Sequence, residues 1–258
     1  MINKRLLKNA RLKHSQVGEN ILNNWSSNYA LSIYPINSVY TFIPKNACST
    51  LRFSIAIANG FIRDINDIQW IHNNNATFKS TQREVSLASY TFVVLRCPYT
   101  RIASCFLDKV VDEVISFNDE IGNKVSLNFH EFLLQVQSQK HSEREQHWRN
   151  QSDFLHYEKY DEYFSLEAFS EAITSLEVHG LKVHDTRESI KHGLSSLKTV
   201  DGDFSKMKAL EIKKMKKEGF APNYKSMFSE AEIELVNDIY KDDINLYKSH
   251  FGENELLF

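Results

Sequence analysis

The sequence predicts an α/β protein, a mostly parallel central sheet flanked by helices, in which ligands sit beyond the carboxyl ends of the strands. Two segments carry that expectation. Each is a short β-branched and aromatic run, a tight proline-containing loop and then a helical pattern, at Ser38–Ile43 with Pro44 and at Tyr90–Leu95 with Pro98. The third observation is the set of amphipathic, capped helical patterns that follow and would cover such a sheet.

Taken in order, residues 1–37 read as a helical N-terminal extension. After the first strand, Ser49 or Thr50 can cap a helix with Leu51, Ile55 and Ala58 on one side, ending at Gly60. After the second, Pro98 suits a first helical turn, and Ile102, Cys105, Phe106, Val110 and Val114 form one apolar stripe. Arg101, Ser104, Asp108 and Asp112 lie on another face of that helix. Asn128 with Glu131 and Ser229 with Glu232 have the spacing of a cap followed by a carboxylate, each opening a helix. Phe129, Phe132, Leu133 and Val136 make the first of these a core helix, and the second is expected to run to near Gly252. Between them, Tyr160–Phe164 reads as a strand and Leu166, Phe169, Ile173 and Leu176 as a helix.

Composition narrows the function. With 258 residues, 42% of them hydrophobic, the chain can bury a large core as one domain without a metal or disulfide staple. A net charge of -2 gives no electrostatic case for nucleic acid or an anionic membrane as the main partner. The three cysteines (Cys48, Cys97, Cys105) are odd in number and form no CxxC pair, which predicts reduced thiols and a cytoplasmic protein. No apolar run is long enough to span a membrane or to serve as a signal peptide.

Both proline loops have the parts of a phosphate cradle. In Pro44-Lys45-Asn46-Ala47-Cys48-Ser49-Thr50, small residues let backbone approach an anion, amides at a helix start face it, Lys45 brings charge, and Ser49 or Thr50 a hydroxyl. The ATP-binding pattern GxxxxGK(S/T) is absent. In Arg96-Cys97-Pro98-Tyr99-Thr100-Arg101-Ile102-Ala103-Ser104, a guanidinium and a hydroxyl would take a second phosphate, with charge-assisted hydrogen bonds of roughly 1.5–3 kcal/mol each. The competing reading of the first loop alone is a capped helix with a surface lysine, and of the second an arginine capping a neighbouring helix.

Together, IPKNACSTLR and VVLRCPYTRIASCFLDK resemble the 5'-phosphosulfate loop (PKxxxT) and the 3'-phosphate motif (RxPxxRxxS) of sulfotransferases, with Arg96, Pro98, Arg101 and Ser104 in register. The resemblance is closest to the carbohydrate sulfotransferases that modify chondroitin, dermatan and related glycans. It continues through Glu145-Gln146-His147-Trp148, Tyr160-Asp161, Glu167, and Ser229 to Tyr247 with Tyr240 and Asp243. It implies the P-loop-like sulfotransferase fold over 1–258, with both cofactor loops in 38–109, an acceptor-side segment in 139–167 and a C-terminal helix at 229–251. The Golgi anchor and luminal cysteines of animal members are missing here, which points to a cytosolic, bacterial member. Cys97 stands where the family usually has an acidic residue or His.

The resemblance further implies 3'-phosphoadenosine 5'-phosphosulfate as sulfuryl donor, the desulfonated bisphosphate as product, and no metal. Lys45, Asn46, Ala47, Cys48, Ser49, Thr50, Arg96 and Ser104 would bind the donor, and Lys45 would also stabilise the leaving phosphate. A general base is needed for the acceptor hydroxyl, and His72 and His147 are both candidates. Trp148 could stack on a sugar beside Arg149. Two alternatives stay open, a nucleotide-dependent kinase and a catalytically silent nucleotide- or glycan-binding protein of the same fold. Lysines 206, 208, 213, 214, 216 and 217 read as a solvated helix face.

Overall fold

A computed structural model describes residues 5–10, 19–74, 76–112, 115–118, 121–186 and 197–258. In chain order, α1 (Ile21–Ser27) is capped by the Asn20 side chain and leads to β1 (Ala30–Ile33) and β2 (Ser38–Thr41). Then come α2 (Cys48–Ala58), α3 (Trp70–Asn73), α4 (Gln82–Leu87), β3 (Tyr90–Leu95) and α5 (Pro98–Cys105). A π-helical turn, Phe106–Val110, prolongs α5. A short ladder of β4 (Phe117–Asn118) and β5 (Lys124–Val125) precedes α6 (Phe129–Ser138), α7 (Gln151–Phe154), β6 (Glu162–Ser165) and α8 (Phe169–Val178). The chain closes with β7 (Lys198–Val200), α9 (Ala209–Lys217), β8 (Phe220–Pro222), α10 (Glu230–Ile239) and α11 (Lys241–Phe251).

These elements form two compact units. The first comprises Met1–Leu95 and Gln151–Thr186 and holds a four-stranded sheet of order β1-β2-β3-β6, flanked by helices. β2, β3 and β6 run parallel, and β1 lies antiparallel at the edge. Every residue of β3 is buried, as the middle of a sheet covered on both faces requires, which explains why its sequence is a β-branched and aromatic run rather than a polar–apolar alternation. The N-terminal extension therefore differs from the expectation of helix alone, because Ala30–Ile33 supplies the edge strand. Arg5 helps hold that extension in place. Its guanidinium pairs with Asp161 at 2.7 Å and donates to the carbonyls of Ala88 and Ser89. Tyr160, just before β6, shares a hydrogen bond of 2.7 Å with Thr41 Oγ1.

The second unit, Arg96–Asn150 and Arg187–Phe258, packs α5, α6, α10 and α11 around aromatic side chains. Phe106 meets Phe129 and Phe132 at ring separations of 5.4 and 5.5 Å, and Phe132 meets Trp148 edge-on at 5.6 Å. Both capping boxes are formed, Asn128 with Glu131 and Ser229 with Glu232. Glu232 is fully buried, and His130 Nδ1 lies 2.6 Å and Lys206 Nζ 3.2 Å from its carboxylate. Burial opposes its charge, but the bonds from Ser229, His130 and Lys206 hold its pKa down at about 2.

One further expectation needs correction here. The C-terminal helix is two helices, broken at Tyr240, whose φ of -118° leaves the helical region while its hydroxyl donates to Trp148 O at 2.6 Å. On α5, Arg101 and Ser104 are buried along with Ile102 and Cys105, while Thr100 keeps partial exposure. Val114, the last member of the expected stripe, lies outside the described residues. Among those residues, no helix is long and apolar enough to cross a membrane.

Candidate active site

In the first unit the loop after β2 begins as a tight turn, closed by Asn46 N donating to Ile43 O at 3.2 Å. Lys45 and Ala47 adopt left-handed conformations, with φ of 73° and 55°. For a residue with a Cβ this costs about 1–2 kcal/mol, and alternating backbone hands of this kind turn amides toward one concavity. Ala47 is the N-cap of α2, and its methyl group gives no side-chain cap. The leading amides of α2, from Cys48 to Thr50, therefore meet the concavity with the positive end of an 11-residue helix dipole behind them.

Asn46 explains how the loop keeps this shape. Its side chain is fully buried, and Nδ2 donates to Val94 O at 2.9 Å and to Gln151 Oε1 at 2.6 Å. It bolts the loop to the carboxyl end of β3. Thr50 is half spoken for, with Oγ1 2.8 Å from Thr186 Oγ1. Cys48 and Ser49 are partly exposed. Arg52, one turn further along, donates to Ile71 O and lies 5.3 Å over the Phe42 ring. Burial lowers its pKa, yet it remains a cation on the helix that carries the loop.

In the second unit Arg96 opens the segment leading into α5. Its Nε donates to Thr100 Oγ1 at 3.1 Å, and its guanidinium carbon stands 5.3 Å from the Tyr224 ring centroid. A fork held in this way loses little further freedom when it grips an oxyanion. Ser104 follows in the second turn of α5. Arg101, matched by the same motif, turns inward and donates to Arg149 O at 2.8 Å. Burial lowers its pKa, while Tyr240 and Asp243 favour its charge. Cys97 Sγ accepts from Leu257 N, and its neighbour Pro98 starts the helix.

The two histidines have different settings. His72 is exposed on the four-residue α3 of the first unit. His147, in the second, has Nδ1 2.9 Å from the Glu145 carboxylate, and its backbone N–H donates to the same group at 2.7 Å. Trp148 and Arg149 do not face outward as expected. Trp148 is 3% exposed, packs on Phe132 and Phe117 and donates to Gln139 Oε1, so its ring serves the core. Arg149, equally buried, donates to Ser142 O. The lysines are less free than a solvated face suggests, since Lys208 pairs with Glu131 and Lys216 with Asp112. Sequence reasoning missed Glu145, Thr100 and Tyr224 as partners of functional groups. Glu145 has a local signal, a carboxylate two residues before a histidine; Tyr224, 128 positions from Arg96, has none.

A model of the sulfotransferase family matches residues 36–250. No curated protein and no solved structure matches the chain.

Proposed function

Because this chain belongs to the sulfotransferase family, we propose that it moves a sulfuryl group from 3'-phosphoadenosine 5'-phosphosulfate to a hydroxyl of a carbohydrate. The observation that carries the donor is the loop from Pro44 to Thr50. Its left-handed Lys45 and Ala47 and its uncapped helix start suit an anion of the 5'-phosphosulfate type. Arg96, steadied by Thr100 and Tyr224, and Ser104 suit the 3'-phosphate and would separate this donor from ATP. The carbohydrate acceptor is supported by the likeness of residues 145–148 and 229–247 to glycan-modifying members. Cys48, Cys97 and Cys105 form no disulfide, and two of them are buried, which suits a cytoplasmic setting.

When bound, the donor supplies an activated sulfuryl group on a phosphate oxygen. Lys45 and the amides of Ala47 to Thr50 stabilise the charge that grows on that oxygen as the bond breaks, much as cations do in phosphoryl transfer. Asn46 keeps those amides in position. Arg96 and Ser104 fix the nucleotide, so that displacement is in line and positioning supplies much of the rate. A histidine, His72 or His147, takes the proton of the acceptor hydroxyl.

Calorimetric titration with adenosine 3',5'-bisphosphate, with ATP and 5'-AMP as controls, tests the donor site. The bisphosphate should bind and the controls bind far more weakly. Arg96→Ala should weaken it by roughly 10- to 150-fold, the equivalent of about 1.5–3 kcal/mol. A preference for ATP with magnesium would overturn the reading in favour of a kinase.

A further inference from the structure

Cys48 is the first residue of α2 and keeps partial exposure, whereas Cys97 and Cys105 are fully buried in the second unit. The cap residue before it, Ala47, has no side chain to close the 11-residue helix, so a negative sulfur there meets the positive end of the helix dipole. Arg52 follows at the i,i+4 spacing that puts two side chains on one helix face, and its guanidinium is fixed by donating to Ile71 O. Tyr40 of β2 stands against this helix start. It is 0% exposed, with its ring stacked on Phe92 at 5.0 Å. Its hydroxyl, sealed from solvent, has no hydrogen-bond partner among the described residues. A hydroxyl buried in that state is a standing cost to the fold unless an acceptor comes to it. Burial pushes its pKa well above the ordinary tyrosine value, Cys48 adds to the rise and Arg52 opposes it, so the group is a donor at physiological pH. Cys48 and Tyr40 in turn favour the charge of Arg52. Thiol, guanidinium and unmet donor thus form one cluster, wholly inside the first unit.

We propose that Cys48 is a peroxide-sensitive modification site, which takes up one oxygen and is then capped by a small cellular thiol, so that the loop no longer receives an anion. The effect on the sulfuryl donor rests on the sulfotransferase reading; the modification itself does not. In the first step the Cys48 thiolate attacks one oxygen of hydrogen peroxide. An S–O bond forms, the O–O bond breaks, the other oxygen leaves as hydroxide, and the sulfur is oxidised by two electrons to a sulfenic acid. The new oxygen is the acceptor that Tyr40 Oη lacks. In the second step the sulfur of glutathione attacks the sulfenic sulfur. An S–S bond forms, the S–O bond breaks, and the oxygen departs as water, keeping its own proton and taking that of the incoming thiol. A further thiol releases the cap and restores Cys48. A tripeptide tethered to the first residue of α2 lies across the amides from Cys48 to Thr50 that an anion needs, and its carboxylates suit the positive helix end.

The test treats the full, reduced chain with hydrogen peroxide and glutathione. Mass spectrometry of the intact protein and its peptides should find a single glutathione, on Cys48, with Cys97 and Cys105 still thiols, and dithiothreitol should remove it. By calorimetry the treated protein should bind adenosine 3',5'-bisphosphate at least about ten-fold more weakly and recover once reduced. Cys48→Ala, measured before and after the same treatment, should give the same affinity twice. Tyr40→Phe removes a hydroxyl that has no partner, so it should melt no lower than wild type. Under peroxide alone, its Cys48 should be trapped by dimedone as sulfenic acid more slowly, by roughly 2- to 12-fold, the worth of one hydrogen bond. Its alkylation by iodoacetamide, which leaves no oxygen on sulfur, should proceed at the wild-type rate. If the untreated wild type does not bind the bisphosphate, the sulfotransferase reading falls and the position of the adduct decides the proposal. Glutathione on Cys97 or Cys105 instead of Cys48, no adduct at all, an adduct on Cys48 that leaves bisphosphate binding unchanged, or a Tyr40→Phe protein oxidised as fast as wild type overturns it.

Discussion

Asn46 shows how a single side chain can hold a loop in shape. Both donors of its amide are used inside the protein, on Val94 O and Gln151 Oε1, and its backbone N–H closes the preceding turn. Asn46→Ala should cost about 1–3 kcal/mol of stability, from the unmet acceptors it leaves, and should weaken bisphosphate binding at least ten-fold as the loop loosens. Urea unfolding and calorimetry separate the two effects, and unchanged affinity would return the residue to a purely structural role. Its type and location were readable from the sequence, but not its direction, because the partner Gln151 is 105 positions away. Trp148 taught the same lesson more sharply. Next to a histidine it resembles a sugar platform, and only the rings of Phe132 and Phe117 reveal it as core.

Local rules served the helices and strands best. The boxes at Asn128 and Ser229 form as their spacing predicts, since a cap and a carboxylate three residues later need no distant partner. β3 matches its β-branched and aromatic run residue for residue. The break at Tyr240 was hidden, because it accompanies a hydrogen bond to Trp148, and so was the burial of Arg101 and Ser104 on α5. Glu232 gives this scale a pH dependence. Its folded-state pKa of about 2 lies below the ordinary value of 4.5, so its contribution to stability is fully present above pH 4.5 and is lost as pH falls toward 2. Glu232→Gln should lower stability at neutral pH by about 1–3 kcal/mol and flatten the decline on acidification. Urea midpoints of the two proteins at neutral and acid pH check this; parallel declines would count against it.

At the scale of the whole molecule, the mostly parallel sheet was legible from two strand–loop–helix runs, whereas the antiparallel edge β1 was not, its four residues being lost in a stretch without periodicity. Ligand binding offers a global readout of the site. A bisphosphate at 100 times its dissociation constant should stabilise the fold by about 2.7 kcal/mol, a rise of roughly 5–10 °C in Tm at this chain length. Thermal melts of Arg96→Ala at the same concentration should show little of it. The loop that would take the other phosphate also changes what a scan of genomes can find. None of the chain's eight glycines falls between Pro44 and Thr50, and the bends that glycine usually provides are made by a lysine and an alanine. Searches for anion-binding turns that key on glycine would pass over such proteins. A filter for a proline-lysine pair at a strand end, followed by small residues and a helix start, would retain them.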